Sequence, residues 1–447
     1  MLRMLSQRTP TPDVDRTDTS REGVSTSREG ASSANGTKKK LAFVIAHLGA
    51  GGAQRVAANA ANALVERGFE VHVVVLYQRP EAYGVDPRVV IHSESPRQIA
   101  ALDFDQDPAD EQPAQVKPGG PTKPVGRVER LKASIMRSPR LYSFAIRVLG
   151  PVIAAYHLTR ITLLLRRRIK EIEPDAVLSF LTQTNIATVL ATRGLDTHTV
   201  ISERNDPRLQ RQRFRVEFLR RVCYRWADVV TANSKGALAP LEAFVPNHKL
   251  AFLPNPLSAT PSSEAATFTA PTVITVGRLV EQKGIDVLLA AWAKVVAALP
   301  DWRLALVGDG PLTGELKERA RTLGVADSID WVGHVSDPFP FLRGAKFFVM
   351  TSRFEGTPNA LLEAMVCGLP AVVSDASPGP CELIGSGDDA AGLIVPVEDA
   401  SATADAIVRL AHDETLRRRL GLAARERTRA HDADHAIDVW LKLLGCE

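Results

Sequence analysis

The stretch T-S-R-F-E-G-T-P-N-A-L-L-E-A-M-V-C-G-L-P-A-V-V-S-D, residues 351–375, constrains this chain more than any other. An apolar run ending at Met350 precedes it, and another, Ala371, Val372 and Val373, closes it. Uninterrupted apolar runs of this length read as strands covered on both faces, the habit of a parallel sheet. Between them lies a helix with its own punctuation. Thr357 is expected to cap it and Pro358 to take the first helical position, where a missing N–H costs nothing. Gly368 suits the left-handed C-terminal cap, and Pro370 prevents continuation. The amides from Gly356 to Ala360, Thr357 and Asn359 among them, are then free at a helix N-terminus beside a strand's carboxyl end. That is a ready phosphate site. Glu355 sits on its rim, and Glu363 lies at most about 12 Å further along. Carboxylates so placed can bond sugar hydroxyls on one side and a ribose on the other.

A chain of 447 residues is too long for one core and predicts two domains. Residues 1–37 hold almost no large apolar side chain after Leu5 and are expected as a disordered tail without the apolar core of a secretory signal. Four cysteines, Cys223, Cys367, Cys381 and Cys446, form no C-x-x-C pair, so neither a disulfide framework nor a zinc site is implied, and a cytoplasmic, reducing setting is expected.

Order begins with L-A-F-V-I-A-H-L, a strand, followed by the turn G-A-G-G-A-Q-R, a helix over 56–67 closed by Gly68, and a strand over 69–77. A dinucleotide-binding unit is the first thought, but the glycine spacing departs from G-x-G-x-x-G and the second strand ends in Tyr77-Gln78, with no acid for a ribose. Gly51 and Gly52 instead permit close backbone approach. Residues 103–126 read as an exposed linker. From 127 to 170 eleven Lys and Arg face one acid, Glu129, and are interleaved with apolar runs. The Gly150-Pro151 break and the charges exclude a membrane span and favour basic amphipathic helices on an anionic membrane. A second basic cluster, 204–225, has eight arginines. No nucleic-acid module accompanies either, so nucleic acid is not an expected partner.

Further strands are expected over 174–181, 199–202 and 228–234, the last being taken as the final strand of this half, with Thr184 capping a helix over 186–192. Polar loops follow the first two, Q-T-N and S-E-R-N-D-P, at the strand ends where open α/β sheets place function. Residues 255–271, rich in Pro, Ser and Ala, form the expected hinge. The second half repeats the pattern. A strand over 272–276 gives onto G-R-L-V-E-Q-K-G, where Arg278 and Lys283 can converge on a diphosphate, the first as a planar fork and the second as a point charge. Gly308 and Gly333 close the next two strands.

E-G-T-P-N-A-L-L-E-A-M resembles the signature of family-four retaining glycosyltransferases. G-G-A-Q-R and G-R-L-V-E-Q-K-G fall where those enzymes have their matching loops. The resemblance covers about residues 40–445. It implies the GT-B fold, an α/β architecture of two Rossmann-like doubly wound parallel-sheet domains facing across a cleft: an acceptor domain over 38–254, a donor domain over 272–430 and a crossover helix over 431–447. It further implies that Arg278 and Lys283 grip a donor diphosphate and that Glu355 orients the sugar. Glu363 would bind the ribose, the Gly333 segment would line the base pocket, and Gly51 and Gly52 would approach the diphosphate or the acceptor. Where many relatives carry a histidine near S-E-R-N-D-P this chain has Glu203 and Arg204, so the resemblance does not carry that histidine's role to Glu203, Arg204 or Asp206. No P-loop lysine motif occurs, and neither cofactor nor metal is expected. The implied reaction is retaining transfer from a nucleoside-diphosphate sugar, UDP-linked by expectation, to a glycan or lipid-linked glycan, with the enzyme peripheral on the inner membrane face. Alternatives are a sugar-nucleotide epimerase of the same fold, a transferase for soluble sugars, and a nucleotide-binding scaffold.

Overall fold

The structure is a computed structural model that describes residues 39–49, 51–93, 139–208, 214–257, 268 and 270–446. The tail over 1–37, the linker over 103–126, residues 127–138 of the basic segment and 258–267 of the hinge lie outside the described residues.

Two parallel sheets carry the chain. The first is built from β1 (Lys40–Ile45), β2 (Glu70–Val75), β3 (Val90–Ser93), β4 (Ala176–Phe180), β5 (His198–Glu203), β6 (Val229–Ala232) and β7 (Leu250–Phe252), in spatial order β3-β2-β1-β4-β5-β6-β7. The second comprises β8 (Thr272–Val276), β9 (Arg303–Val307), β10 (Ile329–Gly333), β11 (Phe347–Met350), β12 (Ala371–Ser374) and β13 (Gly392–Val395), in order β10-β9-β8-β11-β12-β13. In each sheet the strand order reverses beside its first strand, β1 or β8. Open α/β sheets bind ligands outside the carboxyl ends of strands at such a switch point. The glycine loop after β1 and the Arg278–Lys283 loop after β8 are therefore both in position for function.

The described helices are α1 (Gly52–Glu66), α2 (Pro139–Ile172), α3 (Thr182–Thr192), α4 (Phe214–Cys223), α5 (Ala239–Glu242), α6 (Ile285–Ala298), α7 (Thr313–Thr322), α8 (Phe339–Gly344), α9 (Asn359–Val366), α10 (Pro378–Ile384), α11 (Ala400–His412), α12 (Glu414–Thr428) and α13 (Ala433–Leu443). They cover both faces of both sheets, which is why the strands read as unbroken apolar runs. The terminal α13 packs under the first sheet although it follows the second in sequence. Trp440 is fully buried, its ring 5.9 Å from that of Phe43 and 6.1 Å from that of Phe180, and its indole N–H donates to Pro254 O at 2.8 Å.

Several local expectations are corrected. The helix after β1 begins at Gly52 rather than at position 56, and the helix after β4 begins at Thr182 rather than at 186. Thr184 is thus inside α3, whose entry is set by Leu181 with φ of 75°, a left-handed conformation that costs a residue with a Cβ about 1–2 kcal/mol. The segment around Val229 is not the last strand of the first sheet. The short β7 extends that edge, pairing Leu250 with Val230.

Gly150-Pro151 does not break α2, which runs through it. Helix interiors tolerate an occasional proline when tertiary packing outweighs the lost hydrogen bond. Along the second half of α2, Ile161, Leu165, Ile169 and Ile172 recur at helical spacing and are buried against the first sheet with Val44 and Val74. This apolar stripe of the basic segment belongs to the core and is not available to a membrane.

Candidate functional site

At the carboxyl end of β8 the chain turns through Gly277 and Arg278, and Gly284, in the left-handed region with φ of 60°, turns it into α6. A side chain at 284 would collide with the carbonyl of Thr351, so glycine is required where the two loops close together. This turn carries Lys283 back over Gly277, and its Nζ reaches Glu355 Oε1 at 2.5 Å. Ser352 Oγ donates to the same oxygen at 2.8 Å. The backbone of Glu355 is held on both sides by Ser377, whose Oγ accepts from Glu355 N at 3.1 Å and donates to Glu355 O at 2.6 Å. Glu355, only 7% exposed, is thereby fixed on the rim where the chain enters α9.

The N-terminus of α9 departs from the expected cap. Pro358 is its N-cap and no side chain caps it. Thr357 is diverted because its hydroxyl donates to Asn233 O of the first domain. As a result the amides of Gly356, Asn359 and Ala360 find no acceptor among the described residues, as an anion-binding helix end requires. The Arg278 side chain, exposed on the neighbouring loop, makes no ion pair or hydrogen bond with the described residues either. At its other end α9 closes as expected. Gly368 adopts φ of 76°, with Gly368 N bonded to Met365 O at 2.9 Å and Leu369 N to Ala364 O at 3.0 Å.

The first domain lies directly against this rim. Asn359 Nδ2 donates to Gly52 O at 3.2 Å, and Asn255 Nδ2 donates to Asn359 Oδ1 at 2.6 Å and to Thr357 O at 3.2 Å. A side chain at Gly356 would strike the carbonyl of Arg204. Glu363, on the face of α9 turned to the first domain, pairs with Arg55 of α1 at 2.7 Å. Burial raises the Glu363 carboxyl to about 7 despite the guanidinium beside it, with Asp337 adding to the rise. Gly51 N donates to the Tyr83 hydroxyl at 3.2 Å, and Arg55 stacks over the same ring. Gly308, with φ of 140°, packs against the Gly277 carbonyl, and its N–H is held by Gly333 O at 2.8 Å. These two glycines shape the backbone behind the Arg278 loop.

The polar loop after β5 is spent on the protein itself. Glu203 is 2% exposed and accepts from Thr182 at 3.0 Å and from the Tyr224 hydroxyl; its burial raises its pKa. Arg204 bonds Asn255, and Asp206 holds Arg208 at 2.7 Å. Among the described residues no three His, Cys, Asp or Glu side chains group as metal ligands.

Comparison with known proteins decides the family. The sequence signature described as "Glycosyl transferase 4-like domain" matches residues 51–256, and that described as "Glycosyl transferases group 1" matches 270–413. A Campylobacter jejuni GalNAc-alpha-(1->4)-GalNAc-alpha-(1->3)-diNAcBac-PP-undecaprenol alpha-1,4-N-acetyl-D-galactosaminyltransferase is 31% identical over 283 residues, covering 63% of this chain and 77% of that protein. The chain belongs to the group 1 glycosyltransferases. A lipopolysaccharide core biosynthesis glycosyltransferase of Rhizobium meliloti is 38% identical over 177 residues, 39% of this chain and 50% of its own. Two solved structures share the GT-B fold. Sucrose-phosphate synthase from Thermosynechococcus elongatus has a TM-score of 0.66 at 17% identity, covering 92% of this chain and all of its own, 100%. Anabaena HepE in complex with UDP has a TM-score of 0.62 at 15% identity, covering 91% and 100%.

In this glycosyltransferase the structure brings Lys283, Glu355, Gly356, Thr357, Pro358 and Asn359 together on one rim. Glu363, Gly51 and Gly52 lie at the adjoining domain contact. Arg55, Asn233 and Asn255 complete that contact and were not among the expected site residues. Arg55 was signalled by its place in G-G-A-Q-R; Asn233 and Asn255 are signalled only as polar residues just after strands.

Proposed function

We propose that this glycosyltransferase moves a sugar from a nucleoside-diphosphate donor, UDP-linked, to a hydroxyl of a glycan or lipid-linked glycan, with retention at the anomeric carbon. The observation that carries the reading is the Lys283–Glu355 pair at 2.5 Å beside helix amides that have no acceptor. Arg278, Lys283 and those amides take the two phosphates and neutralise the charge that develops as the C1–O bond to phosphate breaks, so no metal is needed for that charge. Glu355 orients the sugar and Glu363 the ribose. The acceptor oxygen bonds C1 on the face the diphosphate leaves, and its proton passes to the departing phosphate oxygen. The UDP held by the Anabaena neighbour and the undecaprenyl-linked acceptor named for the Campylobacter relative support the two substrate classes.

A lipid-linked acceptor calls for an enzyme at the inner membrane face, and the first domain has a surface that suits one. Val152, Tyr156 and Leu163 are exposed along α2, with Arg167 and Lys170 exposed beyond them. Phe214 and Phe218 are exposed on α4 with Arg215 and Arg221. Apolar side chains among cations suit an anionic bilayer surface. No described helix is long and apolar enough to cross a membrane.

The test is a panel of nucleotide sugars offered with a short polyprenyl-diphosphate glycan, read by mass spectrometry, with the new linkage assigned by NMR. Transfer giving the donor's own anomeric configuration is expected. Inverted product would end the retaining assignment, and an altered donor sugar without acceptor would favour the epimerase.

A further inference from the structure

His47 follows β1, at the switch point of the first sheet, and has no place in the chemistry above. Its residue is 9% exposed. Gly49 N–H donates to its Nδ1 at 3.1 Å, so Nδ1 presents a lone pair and the proton of the neutral ring sits on Nε2. The tautomer follows from that bond. No described residue accepts from Nε2, yet this atom is not sealed in the interior with the buried orphan atoms. A polar N–H is thus held on an oriented ring that is nine-tenths buried, without a protein acceptor and not sealed from solvent.

Two further observations fix its surroundings. A Cβ at Gly49 would lie 3.2 Å from His47 Nδ1 and 3.3 Å from Arg79 Cβ, so the loop is packed closely around the ring. Arg79, from the first domain, and Arg278, from the second, are both close enough to act on the imidazole electrostatically. Burial, helped by the two arginines, holds it neutral, with its pKa lowered to about 4. The ring therefore lies within electrostatic reach of the cation proposed to grip the donor, which belongs to the other domain. Protonating it would add a third positive charge to a confined space. As a neutral donor it supplies an N–H without repelling the arginines.

We infer that His47 is a donor-binding residue of the first domain, whose Nε2–H bonds a diphosphate oxygen of the nucleotide sugar gripped by Arg278. The inference rests on the donor reading above and adds to it a ligand from the opposite domain. It gives the first domain a contact that exists only when the donor is bound and the cleft is closed.

Calorimetric titration of the full-length protein with UDP tests it, comparing His47→Gln, His47→Asn and His47→Ala with wild type and with Arg278→Ala. The Gln amide reaches the place of Nε2, whereas the Asn amide reaches only that of Nδ1. Wild type and His47→Gln should bind within about threefold of each other. His47→Asn and His47→Ala should bind on the order of tenfold more weakly, the loss expected of one hydrogen bond to a charged oxygen. Circular dichroism melting of each variant identifies any that fail to fold, and His47→Gln, which keeps the polar volume, remains informative if Ala does not. Undiminished binding by a folded His47→Ala, with Arg278→Ala impaired, would overturn the inference and leave the donor site standing. Equal loss in Gln and Ala would mark a packing role and also overturn it. Failure of the wild type to bind UDP or any other nucleoside diphosphate would remove the donor reading and this inference together.

Discussion

Arg55 Nη1 lies 2.7 Å from Glu363 Oε1, joining the first turn of α1 in one domain to α9 in the other. The carboxylate proposed to hold the ribose is therefore paired across the cleft before any nucleotide arrives. Donor binding has to exchange one partner for another at Glu363, and that exchange links occupancy to domain contact.

That pairing has a signature in pH. Unfolded, Glu363 titrates near 4.5, and folded near about 7, because burial outweighs the pull of Arg55. The folded state thus keeps a proton that the unfolded chain releases, and stability falls as pH rises from 4.5 to 7. The loss amounts to roughly 3 kcal/mol above pH 7. Glu363→Gln should melt higher than wild type at pH 8, with the gap closing below pH 4.5. Arg55→Ala should move the midpoint of the loss upward. Thermal melts across that range decide, and a pH-independent gap refutes the assignment.

Lys283→Ala removes the cation beside Glu355 and leaves that carboxylate with Ser352 as its side-chain partner. Glu355→Gln keeps the shape but lowers the charge. Each should reduce turnover by on the order of a hundredfold, the usual cost of deleting one charge-stabilising contact. Initial rates with a saturating donor measure this, and near-wild-type rates in either variant contradict the proposed roles.

At Gly356 the second domain meets the first with no room for a side chain. Alanine there would run its methyl into the Arg204 carbonyl and the Asn233 side chain. Gly356→Ala should hold the cleft open, seen as a larger radius of gyration in solution scattering, with weaker nucleotide binding. An unchanged profile would mean that this approach is not maintained in solution.

Trp440 ties the terminal helix to the first sheet through Phe43, Phe180 and its bond to Pro254. Truncation to Ala should cost about 3–5 kcal/mol by opening a large cavity and orphaning that carbonyl. Chemical denaturation gives the value. A loss below about 1 kcal/mol would show that α13 is not integral to the first domain.

If the exposed face of α2 and α4 meets a bilayer, Tyr156→Ser with Phe218→Ser should weaken flotation with phosphatidylglycerol vesicles while leaving the melting temperature unchanged. Wild type that fails to float removes the membrane reading.

Local order was legible because it rests on neighbours in sequence. The strand over 272–276 and the Gly368 cap follow from an apolar run and from the backbone freedom of a single residue. The errors came where a distant partner overrode a local preference. Thr357 is a good cap by chemistry, but Asn233 takes its hydroxyl. The apolar stripe of α2 has the pattern of a surface-seeking helix, but the first sheet covers it.

The sequence alone determined the two parallel-sheet halves, the phosphate-ready helix end and the residues that flank it, since alternation of apolar runs and glycine-marked turns is a local property of the chain. Only the tertiary structure decided which groups face one another: Arg55 with Glu363, Lys283 with Glu355, and Asn255 with Asn359. Those pairings join residues from separate strands and separate domains. Their energies depend on distance and burial, and neither is written in the order of the residues.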